Sequence, residues 1–167
     1  RVEGSRVMAA ASTPFRVEQR LQVAVLTDFC NECGNCVTFC PTAGAPYRDK
    51  PRLYLARAEF EAQQDNAFMI LGPAAIETRA GGETLRVEVG GAIEVTSPRA
   101  VVRLDPGTWE VLEARGAPGA GDGEIPLAAC AAAYALLVSL RAEAQFLPVA
   151  SPAGAAGTFV GHPGYEE

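Results

Sequence analysis

The sequence predicts an α+β protein in consecutive parts: a small cysteine-bearing segment, a β-rich antiparallel domain, and a C-terminal helix. Three observations carry this expectation. Four of the five cysteines fall between Cys30 and Cys40. Short apolar runs with period-two alternation then recur at a spacing near ten residues from Phe68 to Leu112, separated by glycine and proline turns. Beyond residue 124 the pattern becomes alanine- and leucine-rich and long enough for several helical turns.

Taken in order, residues 1–14 are polar and small (Gly4-Ser5, then Ala9 to Pro14) and are expected to be a tether. Residues 15–57 form the cysteine-bearing segment. Within it Arg16 to Thr27 alternates apolar and polar residues, as a strand does, and delivers the chain to a loop at Asp28. Arg52-Leu-Tyr-Leu-Ala is a second short strand that completes a ββ pair. Residues 58–115 form the β-rich domain. It opens with a brief helix or connector over residues 58–66, and its strands are expected at Phe68-Met-Ile-Leu, Ala75 to Arg79, Thr84 to Val89, Ala92 to Val95, Ala100 to Leu104 and Thr108 to Leu112. The pairs Gly81-Gly82, Gly90-Gly91 and Ser97-Pro98 and the triplet Asp105-Pro106-Gly107 supply the turns. That rhythm indicates an antiparallel meander, a small barrel or a sandwich, with Trp109 as a packing anchor. Gly116 to Gly123 is expected to be a flexible linker. Residues 124–147 contain a helix with Pro126 in its first turn, apolar over most of its surface and packed on the β-rich domain. Residues 148–167 are expected to be a disordered tail.

The chemistry lies in the run Cys30-Asn-Glu-Cys33-Gly-Asn-Cys36-Val-Thr-Phe-Cys40-Pro41. Its C-x2-C-x2-C-x3-C-P spacing is that of bacterial ferredoxins. Thiolates two residues apart let a tight loop wrap a cubane, and Gly34 tolerates positive φ and a close approach of backbone to the cluster. Cys36 and Cys40 stand one helical turn apart, and Pro41 ends any helix there. Structural zinc sites favour two cysteine pairs separated by a long spacer, so iron–sulfur is preferred to zinc. An odd cysteine count without a secretory signal argues against a disulfide framework. The segment over 15–57 therefore reads as a ferredoxin-like 4Fe-4S segment. Cys30, Cys33, Cys36 and Cys40 are its cofactor-binding and metal ligands.

In such runs the first three cysteines hold one cluster and the fourth serves another. Cys30, Cys33 and Cys36 thus need a fourth ligand from elsewhere, and their sulfurs are expected to converge on one point, with Cys40 turned toward a second cluster. Cys130, in the small and apolar setting Leu127-Ala-Ala-Cys-Ala-Ala-Ala, reads as a buried structural thiol far from them. The ligand deficit suggests that an upstream segment carries a partner motif. Phe39 and Tyr47, close to the cysteines in sequence, are expected to pack there and shield the cluster. Glu32 adds negative charge inside the loop, which disfavours reduction.

The stretch Asp28-Phe-Cys-Asn-Glu-Cys-Gly-Asn-Cys, then Phe39-Cys-Pro, then Pro46-Tyr-Arg-Asp-Lys50, resembles the C-terminal iron–sulfur region of the "putative selenate reductase subunit" family, flavoproteins similar to the small subunit of glutamate synthase. The resemblance is closest over about residues 20–55. It implies an upstream cysteine run completing a two-cluster module, an upstream flavoprotein domain binding FAD and NAD(P)H, and a redox partner subunit such as a molybdenum hydroxylase. The function expected is single-electron relay through [4Fe-4S] clusters within a flavin-dependent, NAD(P)H-linked oxidoreductase. The alternative is a protein-interaction domain whose cluster is purely structural.

Composition excludes other classes. The formal net charge is −6, Lys50 is the only lysine, and no basic cluster exists, so a nucleic-acid partner is not expected. The longest apolar run, Leu127 to Leu140, has 14 residues against the about 20 a membrane span needs. Reduced thiols in this motif point to the cytoplasm. The one histidine, His162, lies in the tail. No Ser/His/Asp set, phosphate loop or dinucleotide fingerprint appears, so no catalytic residue is assigned to this chain.

Overall fold

The computed structural model describes residues 1–3, 6–8, 14–17, 23–40 and 44–143. It is a mixed α+β arrangement built on one large sheet and a C-terminal helix. Six strands follow one another as an antiparallel meander: β5 (Ala67–Gly72), β6 (Ala75–Ala80), β7 (Glu83–Val89), β8 (Ile93–Thr96), β9 (Ala100–Leu104) and β10 (Val111–Gly116). The alternation in Thr84-Leu-Arg-Val-Glu-Val explains them: Leu85 and Val87 are fully buried, while Thr84, Arg86 and Glu88 face the other side. Gly81 and Gly82, with φ of 58° and 77°, make the tight β6–β7 turn.

The sheet does not stop at β5. β3 (Val25–Leu26) and β4 (Arg52–Leu53) extend it, β3 pairing parallel to β4 and β4 parallel to β5. Two parallel strands cannot be joined by a hairpin, so the chain must cross over between them. The β3–β4 crossover holds the whole cysteine run together with α1 (Asn35–Phe39) and α2 (Pro46–Asp49). The shorter β4–β5 crossover holds α3 (Arg57–Glu61). This parallel topology sets the cysteine loop at one edge of the sheet, away from the meander.

One sheet face is apolar and covered by α4 (Leu127–Glu143), which lies across β6 and β7. Cys130, Ala133 and Leu137, at helical spacing, meet Ile76, Leu85, Val87, Val95 and Leu104 in a single core that also takes in Leu53 and Phe68. On the opposite face Phe60 of α3 and Tyr54 close over Ala67 and Met69 in a second, smaller core. Beyond it that face is charged: Glu77 stands opposite Arg86, and Glu94 opposite Arg103, which is itself opposite Glu113. Such rungs stabilise each strand pair by roughly 0.2–1 kcal/mol.

Several elements differ from expectation. Residues 1–14, expected as a tether, contribute a hairpin of β1 (Val2–Glu3) and β2 (Arg6–Val7), with Val2 fully buried in the main core and bridged to Gly123. Of the strand expected over Arg16–Thr27, the described residues place Val25–Leu26 in a strand and Arg16 and Val17 outside one; residues 18–22 lie outside the described residues. The strand expected at Thr108–Leu112 starts three residues later, at Val111. Trp109 instead sits in the preceding turn at φ 62°, edge-on to the Tyr134 ring of α4 at 5.4 Å between centroids. The Gly116–Gly123 stretch is tied down rather than loose. Ala117 donates its N–H to the Arg99 carbonyl (2.7 Å), and the Arg99 guanidinium donates to the Asp122 carbonyl (3.2 Å). Pro41, the tail over 148–167 and His162 lie outside the described residues.

Candidate iron–sulfur site

The cysteine loop is anchored at its start by two bonds to the strand segment next to it. The Thr27 hydroxyl donates to the Leu53 carbonyl at 2.9 Å, and the Asp28 carboxylate accepts the Leu55 N–H at 3.2 Å. A 3-10 turn over Thr27–Phe29 ends at Cys30, whose N–H donates to the Thr27 carbonyl. Two left-handed residues then reverse the chain: Glu32 at φ 53° and Gly34 at φ 79°. Between them the Cys33 N–H donates to the Asn31 side-chain oxygen at 3.3 Å. Gly34 caps α1, which carries Cys36, and Cys40 follows it in extended backbone. A Cβ at Gly34 would meet nothing within 4 Å, so the glycine is needed for its backbone angle and not for space.

Cys33 and Cys36 are exposed, Cys30 and Cys40 half-buried, and none is in a disulfide. The sequence expectation that Cys30, Cys33 and Cys36 converge on one point is not met. Among the described residues no three histidine, cysteine or carboxylate side chains gather closely enough to hold a metal ion. Thiols have little attraction for one another of their own, so spacing alone does not draw them together; a loop that binds a metal takes its ligand geometry from the bonds to that metal. The donor set still fits the group. Four unbridged thiols, all at or near the surface, stand on a loop whose two left-handed residues permit the tight reversal that such spacing requires.

Cys130 is set apart as expected, fully buried in the main core, where burial pushes its thiol up to about 12. Tyr47 of α2 is half-buried, but Phe39 is 84% exposed and so shields nothing in this chain; Phe29, before Cys30, is 75% exposed. Tyr54, in the smaller core, has its hydroxyl raised above the usual tyrosine range, chiefly by burial, with the charge of Arg52 opposing and those of Glu32 and Glu59 adding to the rise. The Glu32 backbone angle has no signal in the sequence. On α2, Asp49 accepts the Ala45 N–H at 2.8 Å and pairs with Arg48. The Arg48 bond and the Ala45 N–H lower its carboxyl to about 2.

Comparison with known proteins finds one kind of relative. The chain is 38% identical over 53 residues to "Putative oxidoreductase YgfK" of Escherichia coli strain K12, and equally to the protein of that name from Escherichia coli O157:H7. The match covers 32% of this chain and 5% of each relative, so this chain corresponds to a small part of their length. No family model matches the chain, and no solved structure matches it. The similarity, over one third of the chain, is to proteins that carry the name putative oxidoreductase. No helix among the described residues is long and apolar enough to cross a membrane.

Proposed function

We propose that this chain is an iron–sulfur electron-transfer module of a larger oxidoreductase. The observation that carries the reading is the four-thiol loop between two parallel strands, with ferredoxin spacing and left-handed backbone at Glu32 and Gly34. The 53-residue similarity to an oxidoreductase supports it. Cys30, Cys33 and Cys36 would hold one [4Fe-4S] cluster, and Cys40 would ligate a neighbouring one completed by an upstream segment. Such clusters supply one-electron transfer at low potential. FAD and NAD(P)H belong, in this reading, to other parts of the polypeptide, and a molybdenum hydroxylase is the kind of subunit with which electrons would be exchanged.

Anaerobic reconstitution of the chain with iron, sulfide and excess 2-mercaptoethanol, whose thiolate can take the fourth position on the Cys30, Cys33 and Cys36 cluster, tests this. Expected are bound iron and sulfide in equal amounts, visible absorbance bleached by dithionite, and an EPR signal on reduction. Cys33→Ser and Cys36→Ser should lose them, while Cys130→Ser keeps them. Stoichiometric zinc without sulfide would sink the reading. A cluster that stays redox-silent, and whose loss unfolds the chain, would favour the structural interaction domain instead.

A further inference from the structure

The return limb of the cysteine loop is held by a residue far from the cysteines in sequence. The entry to the loop is fastened through Thr27 and Asp28 to Leu53 and Leu55. The return runs from Gly44 through α2 to Lys50 and there meets Asn66, the residue before β5. The Asn66 side-chain amide donates to the Arg48 carbonyl at 3.1 Å and to the Lys50 carbonyl at 2.9 Å. A side-chain amide has two N–H donors, so both act on this one limb. Asn66 stands at φ 53°, an angle asparagine tolerates and most residues avoid. A turn into β5 would need only that angle; the bonds to α2 need the amide as well.

The grip extends toward Cys40. The Asp49 carboxylate accepts the Ala45 N–H at 2.8 Å and so closes α2 onto its own start. Gly44, at φ 98°, packs on that carboxylate: a Cβ there would stand 3.0 Å from Asp49 Oδ2. Ala45, Pro46 and Lys50 are buried. Cys40 lies four residues before Gly44, and four residues reach at most about 14 Å, so a fixed Gly44 confines the Cys40 thiol.

We propose that Asn66 is a positioning residue for Cys40: by holding the end of α2 it fixes the limb that presents this thiol to the neighbouring cluster. This deepens the proposed function and rests on it for the ligand role of Cys40, whereas the grip on α2 is read without metal. Residues that orient metal ligands from outside the ligand set typically matter about 10–100-fold in metal affinity or activity.

Two variants separate the amide from the backbone angle. Asn66→Gly keeps the left-handed angle at no steric cost and deletes the amide. Asn66→Asp keeps the side-chain shape but sets a carboxylate against two carbonyls. In the metal-free chain the α2 amides of Arg48, Asp49 and Lys50 should exchange about fivefold faster in Asn66→Gly and faster still in Asn66→Asp, with β6 to β9 unchanged. Alkylation of Cys40 by iodoacetamide, read by peptide mass spectrometry, should rise about threefold while that of Cys33 stays constant. In the desalted iron-loaded chain, with Cys30, Cys33 and Cys36 on iron, the Cys40 difference should persist. Unchanged α2 exchange in both variants would overturn the grip. Faster α2 exchange without a change at Cys40, or equal rises at Cys33 and Cys40, would overturn the positioning role. A parent chain that takes up no iron and sulfide would instead overturn the electron-transfer reading, and with it the ligand role of Cys40.

Discussion

Cys130 and Gly34 illustrate what single residues contribute. The small, apolar neighbours of Cys130 mark a buried thiol in the sequence, and it lies fully buried against the sheet. Burial disfavours the thiolate and raises the folded value from 9.0 to about 12. A group whose folded value is raised stabilises the fold below its unfolded value, and that stability is lost as pH rises from about 9 toward 12, because the unfolded chain sheds its proton first. Iodoacetamide at pH 8 should therefore label Cys33 and Cys36 within minutes and Cys130 only in denaturant, as read by peptide mass spectrometry. Early labelling of Cys130 would contradict its place in the core. The Cys130→Ala variant should lose less stability over that alkaline window than the parent chain. Gly34 was legible for a different reason: a glycine between closely spaced cysteines points to positive φ, and it stands at 79°. Glu32 at 53° was not legible, because glutamate has no preference for that region and only the loop around it imposes the angle.

At the scale of elements, the meander could be read almost strand by strand, since each strand keeps apolar residues on one face and each turn carries glycine or proline. The exception is Thr108–Leu112. Trp109 looks like a strand residue, but its ring packs on Tyr134 of α4, a contact more than twenty residues away that no local pattern encodes. Turn bonds then hold it there: the Asp105 carboxylate accepts the N–H groups of Gly107 and Thr108, and the Trp109 N–H donates to the Asp105 carbonyl. The Gly107 and Thr108 bonds also hold the Asp105 carboxyl below its usual range, with Thr108 the larger influence. Helix α4 is apolar nearly all round, so its sequence alone does not say which side is inward. The sheet decides, burying Leu137 and leaving Val138 exposed. Leu137→Ala should accordingly cost about 2–5 kcal/mol in urea unfolding, against less than about 0.5 kcal/mol for Val138→Ala. Equal costs would mean that α4 does not pack as described.

Across the whole molecule, stability is unevenly distributed. The meander and α4 share one continuous core, whereas the cysteine loop from Thr27 to Phe39 buries no residue and is fastened mainly by the Thr27 and Asp28 bonds. Segments with few buried contacts open at low free energy. Native-state hydrogen exchange on the metal-free chain should show the slowest amides in β6 to β9 and rapid exchange over residues 30–40. Iron and sulfide should slow the loop amides selectively, because metal binding and loop folding share one free energy. Loop amides as protected as those of β7 before metal is added would refute this division.

Covalent spacing and local alternation encode the four-thiol run with its glycine, the antiparallel strands from β5 onward, and an apolar C-terminal helix. Packing in three dimensions settles the rest: that β3 and β4 join the same sheet in parallel, that the first residues enter the core through Val2, and that the Gly116–Gly123 stretch is fastened to Arg99. These depend on partners distant in the chain. Pairing two strands of two residues each, or burying one valine, carries too little local signal to be read before the surfaces that receive them exist. The gathering of the thiols belongs to a third level, since neither spacing nor packing draws sulfurs together without the metal they would share.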